Sequence, residues 1–333
     1  MASFVSLYSS ISREHAMSKN IQIILNPSEL GAGTRGASLG PFAIQAAARK
    51  SSNHLFSDYQ WKVISDWNFC LDQAPSYPFA KHIDGMLDVY NEISSSIQWH
   101  VANQLFPLII AGDHASAGGT MLGLKQAFPG KRIGVVWIDA HADLHSPYTT
   151  PSGNLHGMPL ATALGIDNLN AQKNQVDIET SLRWNQLKSG AIKSNDLIYV
   201  AVRNTEAEED TVIAAENITL ISVAQVRNNG SENVVQQILS QLEECDLIYV
   251  SFDVDAMDPK DTSYGTGTPV EHGLLRSEAE EILLGLCGSD KLAALEFVEI
   301  NPTLDDQKNK MAEVALELIC SCVQTLELKW KKY

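Results

Sequence analysis

The chain has 333 residues, of which 44% are hydrophobic, so it is long enough to bury a substantial core. Its 40 acidic and 24 basic residues give a formal net charge of −16, which argues against nucleic acid or an anionic membrane as a partner. No run of about 18 uncharged apolar residues is present, so the sequence predicts no membrane-spanning helix.

The start of the chain differs in composition from the rest. Residues 1–18 are rich in serine and lack the basic segment and apolar stretch that mark a secretory signal. We predict that these residues form a disordered leader. No Pro/Gly/Ser-rich linker divides residues 19–333, so we predict that they form a single domain.

Eight short apolar runs recur along this domain. They are IQIIL (21–25), WKVIS (61–65), FPLIIA (106–111), RIGVVWI (132–138), DLIYVAV (196–202), ITLIS (218–222), DLIYVSF (246–252) and AALEFVEI (293–300). Runs without polar alternation are typical of strands buried on both faces of a parallel sheet. The segments between most of them are long enough for helical crossovers. We therefore predict an α/β fold, a three-layer α/β/α domain with a parallel sheet of about eight strands.

A glycine-rich segment follows the first run. Residues 31–36 match the pattern G-x-G-x-x-G, which in dinucleotide-binding proteins forms the tight turn between a strand and a helix. Here five residues, 26–30, separate the first glycine from the strand. We interpret the segment as a loop near the edge of the sheet and not as a dinucleotide site.

Acidic and histidine residues follow four of the predicted strands. His114 comes soon after the third run, the segment 139–143 (DAHAD) after the fourth, and the segment 253–255 (DVD) after the seventh. Glu299 lies at the end of the eighth run. Ligands of open parallel sheets bind beyond the carboxyl ends of the strands, so we expect these side chains to meet at one edge.

The spacing of the acidic residues favours a metal site. Residues two apart in an extended segment point to one side, so Asp139, His141 and Asp143 are expected to project together, as are Asp253 and Asp255. A single Asp-x-Asp is more often a polar loop, but four carboxylates at one edge would repel each other strongly without a cation. Carboxylate and imidazole ligands suit two Mn²⁺ or related ions, which indicates a dinuclear metallohydrolase with a metal-bridging hydroxide.

Five segments carry a more specific signal: AGDHASAGG (111–119), DAHADLHSPYTTPSGNLHG (139–157), SFDVDAMDP (251–259), GTGTP (265–269) and EFVEINP (296–302). In this order they resemble the ureohydrolases, and most closely the arginases. The resemblance implies an eight-stranded parallel sheet and a binuclear manganese centre that cleaves L-arginine to L-ornithine and urea. It also implies six metal ligands. The first metal would be held by His114, Asp139, Asp143 and Asp253, and the second by Asp139, His141, Asp253 and Asp255.

The resemblance further implies roles in catalysis and substrate binding. His156 would shuttle a proton, and Glu299 would pair with the guanidinium of the substrate. Thr268 would lie beside that carboxylate. Ser152 and Asn154 would contact the amino-acid end of the substrate.

Two positions depart from the arginase pattern. His145 stands where arginases commonly have an asparagine that helps to bind the substrate carboxylate. Glu206 stands where they often have an aspartate that binds the α-amino group. We expect both residues to bind substrate. Because of these two departures, agmatine or another guanidino or amidino compound is an alternative substrate. A catalytically inactive regulatory homologue is a further alternative, which the complete set of metal ligands disfavours.

The resemblance predicts partners, and the cysteine content predicts a location. Ureohydrolases tend to form trimers or hexamers, so a homo-oligomer is expected. The substrate is expected to be a small guanidino compound. The five cysteines form no paired framework, which is typical of reduced thiols in a cytoplasmic protein.

Overall fold

Eight strands form one parallel sheet in the computed structural model, which describes residues 21–331; the predicted leader lies outside the described residues. The strands are β1 (Ile21–Asn26), β2 (Gln60–Val63), β3 (Phe106–Ala111), β4 (Ile133–Ile138), β5 (Leu197–Val200), β6 (Thr219–Ile221), β7 (Leu247–Asp253) and β8 (Leu292–Val298). Their order across the sheet is β2-β1-β3-β8-β7-β4-β5-β6. Each strand coincides with one of the predicted apolar runs, so the predicted sheet is confirmed.

Eleven α-helices accompany the strands within residues 21–331. They are α1 (Gly40–Lys50), α2 (Leu55–Asp58), α3 (Ile83–Ala102), α4 (Ala117–Ala127), α5 (Pro159–Leu164), α6 (Ile178–Leu187), α7 (Ala207–Glu216), α8 (Val223–Asn229), α9 (Ser231–Gln241), α10 (Arg276–Cys287) and α11 (Lys310–Trp330). None of these helices combines the length and apolar character that crossing a membrane requires.

The sheet separates two apolar layers. Successive side chains of a strand point to opposite faces, so Ile23 packs in one layer and its neighbour Ile24 in the other. Helices α1, α9, α10 and α11 supply buried side chains to the first layer, and α3, α4 and α5 supply them to the second. Because both faces of the strands are covered, the runs carry no polar alternation. The predicted three-layer α/β/α architecture is confirmed.

Helix α4 lies very close to helix α3. A Cβ atom added at Gly123 of α4 would lie 2.8 Å from both Ile97 Cβ and Ser94 Cα of α3. Contacts this short do not occur between real side chains, so the glycine permits the approach. Helix α4 begins three residues after His114, and the contact with α3 therefore helps to fix the position of that histidine.

We expect Gly123→Ala to lower the free energy of unfolding by about 1–3 kcal/mol, the usual effect of overpacking a close contact. Denaturant unfolding followed by circular dichroism in the presence of a chelator would measure the change without a contribution from bound metal. Gly288→Ala is a matched control, because Gly288 has an ordinary φ of −68° and ends its helix. Equal losses in the two variants would contradict a specific α3–α4 contact.

Candidate metal centre

The carboxyl ends of four adjacent strands bring the proposed site residues together. The strands β3, β8, β7 and β4 occupy the centre of the sheet in that order. His114 lies in the turn between β3 and α4, and Asp139 directly follows β4. Asp253 is the last residue of β7, and Glu299 directly follows β8. The crevice beyond such strand ends is where parallel sheets bind ligands.

His114 and three aspartates form the first group of candidate ligands. The ring Nδ1 lies 3.0 Å from Oδ2 of Asp139, 3.1 Å from Oδ2 of Asp143 and 3.3 Å from Oδ2 of Asp253. In the described chain, neither this nitrogen nor Asp139 Oδ2 has a hydrogen-bond partner, although both residues are fully buried. A buried polar atom left unpaired costs roughly 1–3 kcal/mol. A divalent cation among these donors would satisfy them, so the residues fit a metal.

His141 and two aspartates form the second group. Its Nδ1 lies 3.1 Å from Oδ2 of Asp255 and 3.5 Å from Oδ1 of Asp139. Asp139 therefore presents one carboxylate oxygen to each histidine, as a residue that bridges two metals would. The ligand atoms of His114, Asp139 and Asp253 lie within 4.8 Å of one another, and so do those of the second group. Each group is compact enough to hold one ion.

Repulsion among the aspartates changes their protonation. Burial, with the nearby Asp255 and Asp139, raises the pKa of Asp253 well above its ordinary value. Burial and Asp139 also raise the pKa of Asp143 to about 6. Such shifts mean that several negative charges are disfavoured together in a buried site. A divalent cation would remove this penalty and would bind best when the carboxylates are ionised.

Two of the site residues have a left-handed backbone. Asp143 has a φ of 50° and Glu299 a φ of 65°. For residues other than glycine this conformation costs of order 1–3 kcal/mol and persists only where the surroundings enforce it. The N–H of Glu299 donates to the carbonyl of Gly112 (2.8 Å), and its Oε1 accepts from the N–H of His114 (2.9 Å). These bonds hold the end of β8 against the end of β3.

A cavity of about 400 Å³ opens onto the two ligand groups. Its wall includes all the residues proposed for catalysis or substrate binding, namely His145, Ser152, Asn154, His156, Glu206, Thr268 and Glu299. The wall carries carboxylates but, among the described residues, no lysine or arginine. It therefore suits a small cationic ligand. Asp139 and Asp255 are buried behind this wall.

His156 lies beside Glu299 in the cavity. Its Nδ1 is 3.5 Å from Glu299 Oε1, and its backbone N–H donates to the carbonyl of Gly31 (3.1 Å). Burial lowers the pKa of His156, but the contact with Glu299 and the nearby charges of Asp143 and Asp113 together raise it to about 9. The ring therefore carries a proton at neutral pH. Thr268 instead donates its hydroxyl to Oδ2 of Asp255 (3.1 Å), a candidate metal ligand.

His145 and Glu206 meet a third residue that the sequence analysis missed. Nε2 of His145 lies 3.2 Å from Glu206 Oε2 and 3.7 Å from Glu209 Oε2. Glu209 accepts the N–H groups of Glu206 (3.2 Å) and Leu144 (3.0 Å), so it joins the start of α7 to the loop after β4. Burial lowers the pKa of His145, although Glu206 opposes the shift. The sequence carries one signal for Glu209. Glu206 and Glu209 form a Glu-x-x-Glu pair at the start of α7, a spacing typical of a capping box.

Close packing fixes the loop that carries Ser152 and Asn154. Gly153 has a φ of 78°, and a Cβ atom there would lie 1.9 Å from the carbonyl oxygen of Pro78. The N–H of Lys81 donates to the carbonyl of Gly153 (2.8 Å), and its Nζ donates to Oδ1 of Asn154 (3.2 Å). The segment 78–81 therefore supports the loop from outside the cavity.

Asp113 is a second residue whose part in the site the sequence did not reveal. Its buried Oδ2 accepts the N–H groups of Gly31 (2.6 Å) and Ala32 (3.1 Å), and its Oδ1 accepts that of Ala115 (2.9 Å). These bonds hold the glycine-rich segment 31–36 against the cavity. The segment is therefore a loop at the edge of the site, as predicted.

The chain is similar to known proteins along most of its length. The sequence profile of the Arginase family matches residues 19–324. The arginase of Bacillus subtilis (strain 168) is 30% identical over 313 residues, which cover 91% of this chain and 97% of that protein. The structure of the Bacillus caldovelox arginase has a TM-score of 0.77 at 30% identity and covers 91% of this chain and 98% of its own. The structure of the Entamoeba histolytica arginase in complex with L-ornithine has a TM-score of 0.76 at 26% identity and covers 92% of this chain and 98% of its own.

We expect Asp139→Ala to lose both metal ions, because Asp139 faces both histidines. Asp143→Ala should mainly weaken binding of the ion beside His114, since Asp143 approaches only the ring of that histidine. Elemental analysis after incubation with Mn²⁺ and gel filtration would count the ions that each variant keeps. Asp290→Ala, at an exposed position, is the control. An Asp139→Ala protein that retains two ions would show that the ligand groups are wrong.

Proposed function

The chain belongs to the arginase family, and on this premise we propose that it is a manganese-dependent ureohydrolase that cleaves L-arginine to L-ornithine and urea. One observation carries the proposal: Asp139 presents one oxygen to each of two histidines at the base of a cavity lined with carboxylates. That arrangement suits two cations and, above them, a cationic substrate. A hydrolytic site of this kind needs a nucleophile, an anchor for the substrate and a proton donor.

The two ions, which we propose to be Mn²⁺, are assigned to the two ligand groups. The residues proposed to hold them are His114, Asp139, His141, Asp143, Asp253 and Asp255. When bound, a pair of divalent ions makes a water nucleophile available at neutral pH and stabilises the negative charge that develops during the reaction. The buried aspartates then have compensating charges beside them.

Glu299 is the proposed anchor for the guanidinium group. Its carboxylate lines the cavity and is only 4% exposed, so a cation there is poorly solvated by water. The hydrogen bond from the N–H of His114 fixes Oε1, and the carboxylate plane is therefore oriented before substrate binds. Charge-assisted hydrogen bonds between a guanidinium and a carboxylate are strong and directional. This pairing would place the guanidinium carbon over the ligand groups.

His156 is the proposed proton donor. The leaving amine of arginine must gain a proton before it can depart, and a side chain in the cavity has to deliver it. His156 lines the cavity, and the carboxylates beside it, Glu299 foremost, raise the pKa of its ring above the ordinary value. The hydrogen bond from its backbone N–H to Gly31 fixes the residue beside the substrate site.

The far wall of the cavity is proposed to bind the amino-acid end of the substrate. Glu206 can accept from the α-ammonium group, and the buried Glu209 and His145 hold it in place. Ser152 and Asn154 would donate to the α-carboxylate. The related Entamoeba histolytica protein was solved with L-ornithine, which supports an amino acid as the ligand of this wall.

We further propose a cytoplasmic homo-oligomer, a trimer or hexamer. Support for the location comes from the five cysteines, which are all free thiols. Support for an oligomer comes from membership of the arginase family. The sedimentation behaviour of the full chain would test the assembly.

We expect His156→Asn to lower kcat for arginine on the order of 10²–10⁴-fold, the usual contribution of general acid catalysis. Metal content should not change, because His156 belongs to neither ligand group. Urea release at saturating arginine and elemental analysis of the same preparation would measure both. His54→Asn, which changes an exposed histidine, is the control. Unchanged kcat in His156→Asn would reduce this residue to a structural role.

We expect arginine to be preferred over agmatine by on the order of 10²–10⁴-fold in kcat/KM, because agmatine leaves the groups that bind the carboxylate unpaired. Asn154→Ala should shrink this preference, since only arginine loses a contact. Glu206→Gln is the matched control. It should lower kcat/KM for arginine and for agmatine alike, because both carry the ammonium group. Agmatine hydrolysis within about threefold of arginine would overturn the arginine assignment while leaving the ureohydrolase chemistry intact.

A further inference from the structure

Lys81 is a half-buried lysine that lies just before helix α3 and beside the loop that carries Asn154. Its Nζ donates to Oδ1 of Asn154 (3.2 Å). Within residues 21–331 no carboxylate forms an ion pair with this lysine, so no direct partner neutralises its charge. Asn154 lines the cavity, whereas Lys81 does not. The ammonium group is therefore one hydrogen bond away from the space proposed for the substrate.

The ammonium group of Lys81 decides which end of the Asn154 amide is left for a ligand. An ammonium has three donors and no acceptor, so it can bond only to the oxygen of an amide. If the amide were reversed, its NH₂ group would face the ammonium, and two donors would then oppose each other. The bond to Oδ1 therefore leaves the NH₂ group of Asn154 as the end that can bind a ligand.

Gly33 confines the NH₂ end of the same amide. A Cβ atom added at Gly33 would lie 2.8 Å from Nδ2 of Asn154 and 3.9 Å from Nε2 of His156. The backbone of the glycine-rich segment therefore lies close to the NH₂ group, and that group lies on the side of the proposed proton donor. With Lys81 at its oxygen and Gly33 at its nitrogen, the amide is held at both ends.

Ser152 offers a second donor on the same loop. Its Oγ accepts the backbone N–H of Asn154 (3.1 Å), which occupies a lone pair and leaves the hydroxyl proton free to donate. Both side chains line the cavity. A neighbouring amide NH₂ and hydroxyl, each with its acceptor oxygen already bonded, suit an anionic group with two oxygens, and a carboxylate is such a group.

We propose that Lys81 is a positioning residue that orients Asn154 as a donor to a carboxylate, and so makes the site prefer amino-acid substrates over analogues that lack the carboxylate. The lysine fixes the direction of the amide, and its positive charge polarises the amide so that the NH₂ group becomes a stronger donor. The inference rests on the proposed function, because it concerns the amino-acid end of the proposed substrate.

Steady-state kinetics of the full chain loaded with Mn²⁺, with arginine and with agmatine, test this role. Lys81→Met should raise KM for arginine by about 10-fold, the lower end of what a hydrogen bond to a charged group contributes, while KM for agmatine changes little. Lys81→Arg keeps a cationic donor and should restore most of the affinity for arginine. Lys193→Met is the matched control, because Lys193 is exposed and precedes β5, at the end of the sheet away from the site.

A double-mutant cycle shows whether Lys81 acts through Asn154. Asn154→Ala alone should raise KM for arginine. Adding Lys81→Met should then raise it little further, because no amide remains to be oriented. Fully additive effects would overturn the proposal, and so would an equal rise in KM for arginine and for agmatine in Lys81→Met. The backbone N–H of Lys81 still donates to Gly153 in these variants, so the loop keeps its support.

Calorimetric binding of L-ornithine and of putrescine, the same diamine without the carboxylate, separates this inference from the proposed function. In protein loaded with Mn²⁺, Lys81→Met should weaken binding of L-ornithine by about 10-fold and leave binding of putrescine unchanged. If this result is obtained with a protein that releases no urea from arginine, the proposed function is wrong and the role of Lys81 stands. If the parent protein releases urea from arginine and Lys81→Met has the same KM, the proposed function stands and the role of Lys81 is wrong.

Discussion

Four buried aspartates meet at one edge of the sheet, and their mutual repulsion is the constraint on which the site depends. In a medium of low dielectric constant these carboxylates cannot all be charged unless a cation lies among them. The fold nevertheless brings them together, because they follow the neighbouring strands β4 and β7 at the centre of a sheet whose faces are covered by helices. The stability of the apolar layers therefore offsets the unfavourable energy concentrated at the strand ends.

The backbone at the site also holds unfavourable conformations that the rest of the fold stabilises. Asp143 and Glu299 adopt left-handed conformations that an isolated chain would avoid. Hydrogen bonds between strand ends hold Glu299, and the buried Asp113 holds the glycine-rich loop against the cavity. Contacts outside the cavity thus keep the proposed site residues in place.

Much of this architecture could be predicted from the sequence. Unbroken apolar runs located every strand, and the residues directly after four of them turned out to share one edge of the sheet. Other features depend on contacts between distant parts of the chain. Glu209 reaches the cavity only because α7 starts beside the loop after β4, and Asp113 bonds to Gly31, 82 positions earlier. The hydroxyl of Tyr249 on β7 donates to the buried carboxylate of Glu296 on β8 (2.6 Å). This bond requires the register between the two strands, which no local pattern encodes.

The absence of lysine and arginine from the described wall of the cavity has a consequence for turnover. Under the proposed reaction, both the reactant and the amino-acid product carry positive charge, whereas urea carries none. A negative wall attracts both cations, so it concentrates the reactant but also delays the escape of the product. Urea would leave readily, and the retained diamino acid would compete with the next molecule of arginine. The charge that attracts the reactant thus also couples the turnover rate to how quickly the amino-acid product leaves the site.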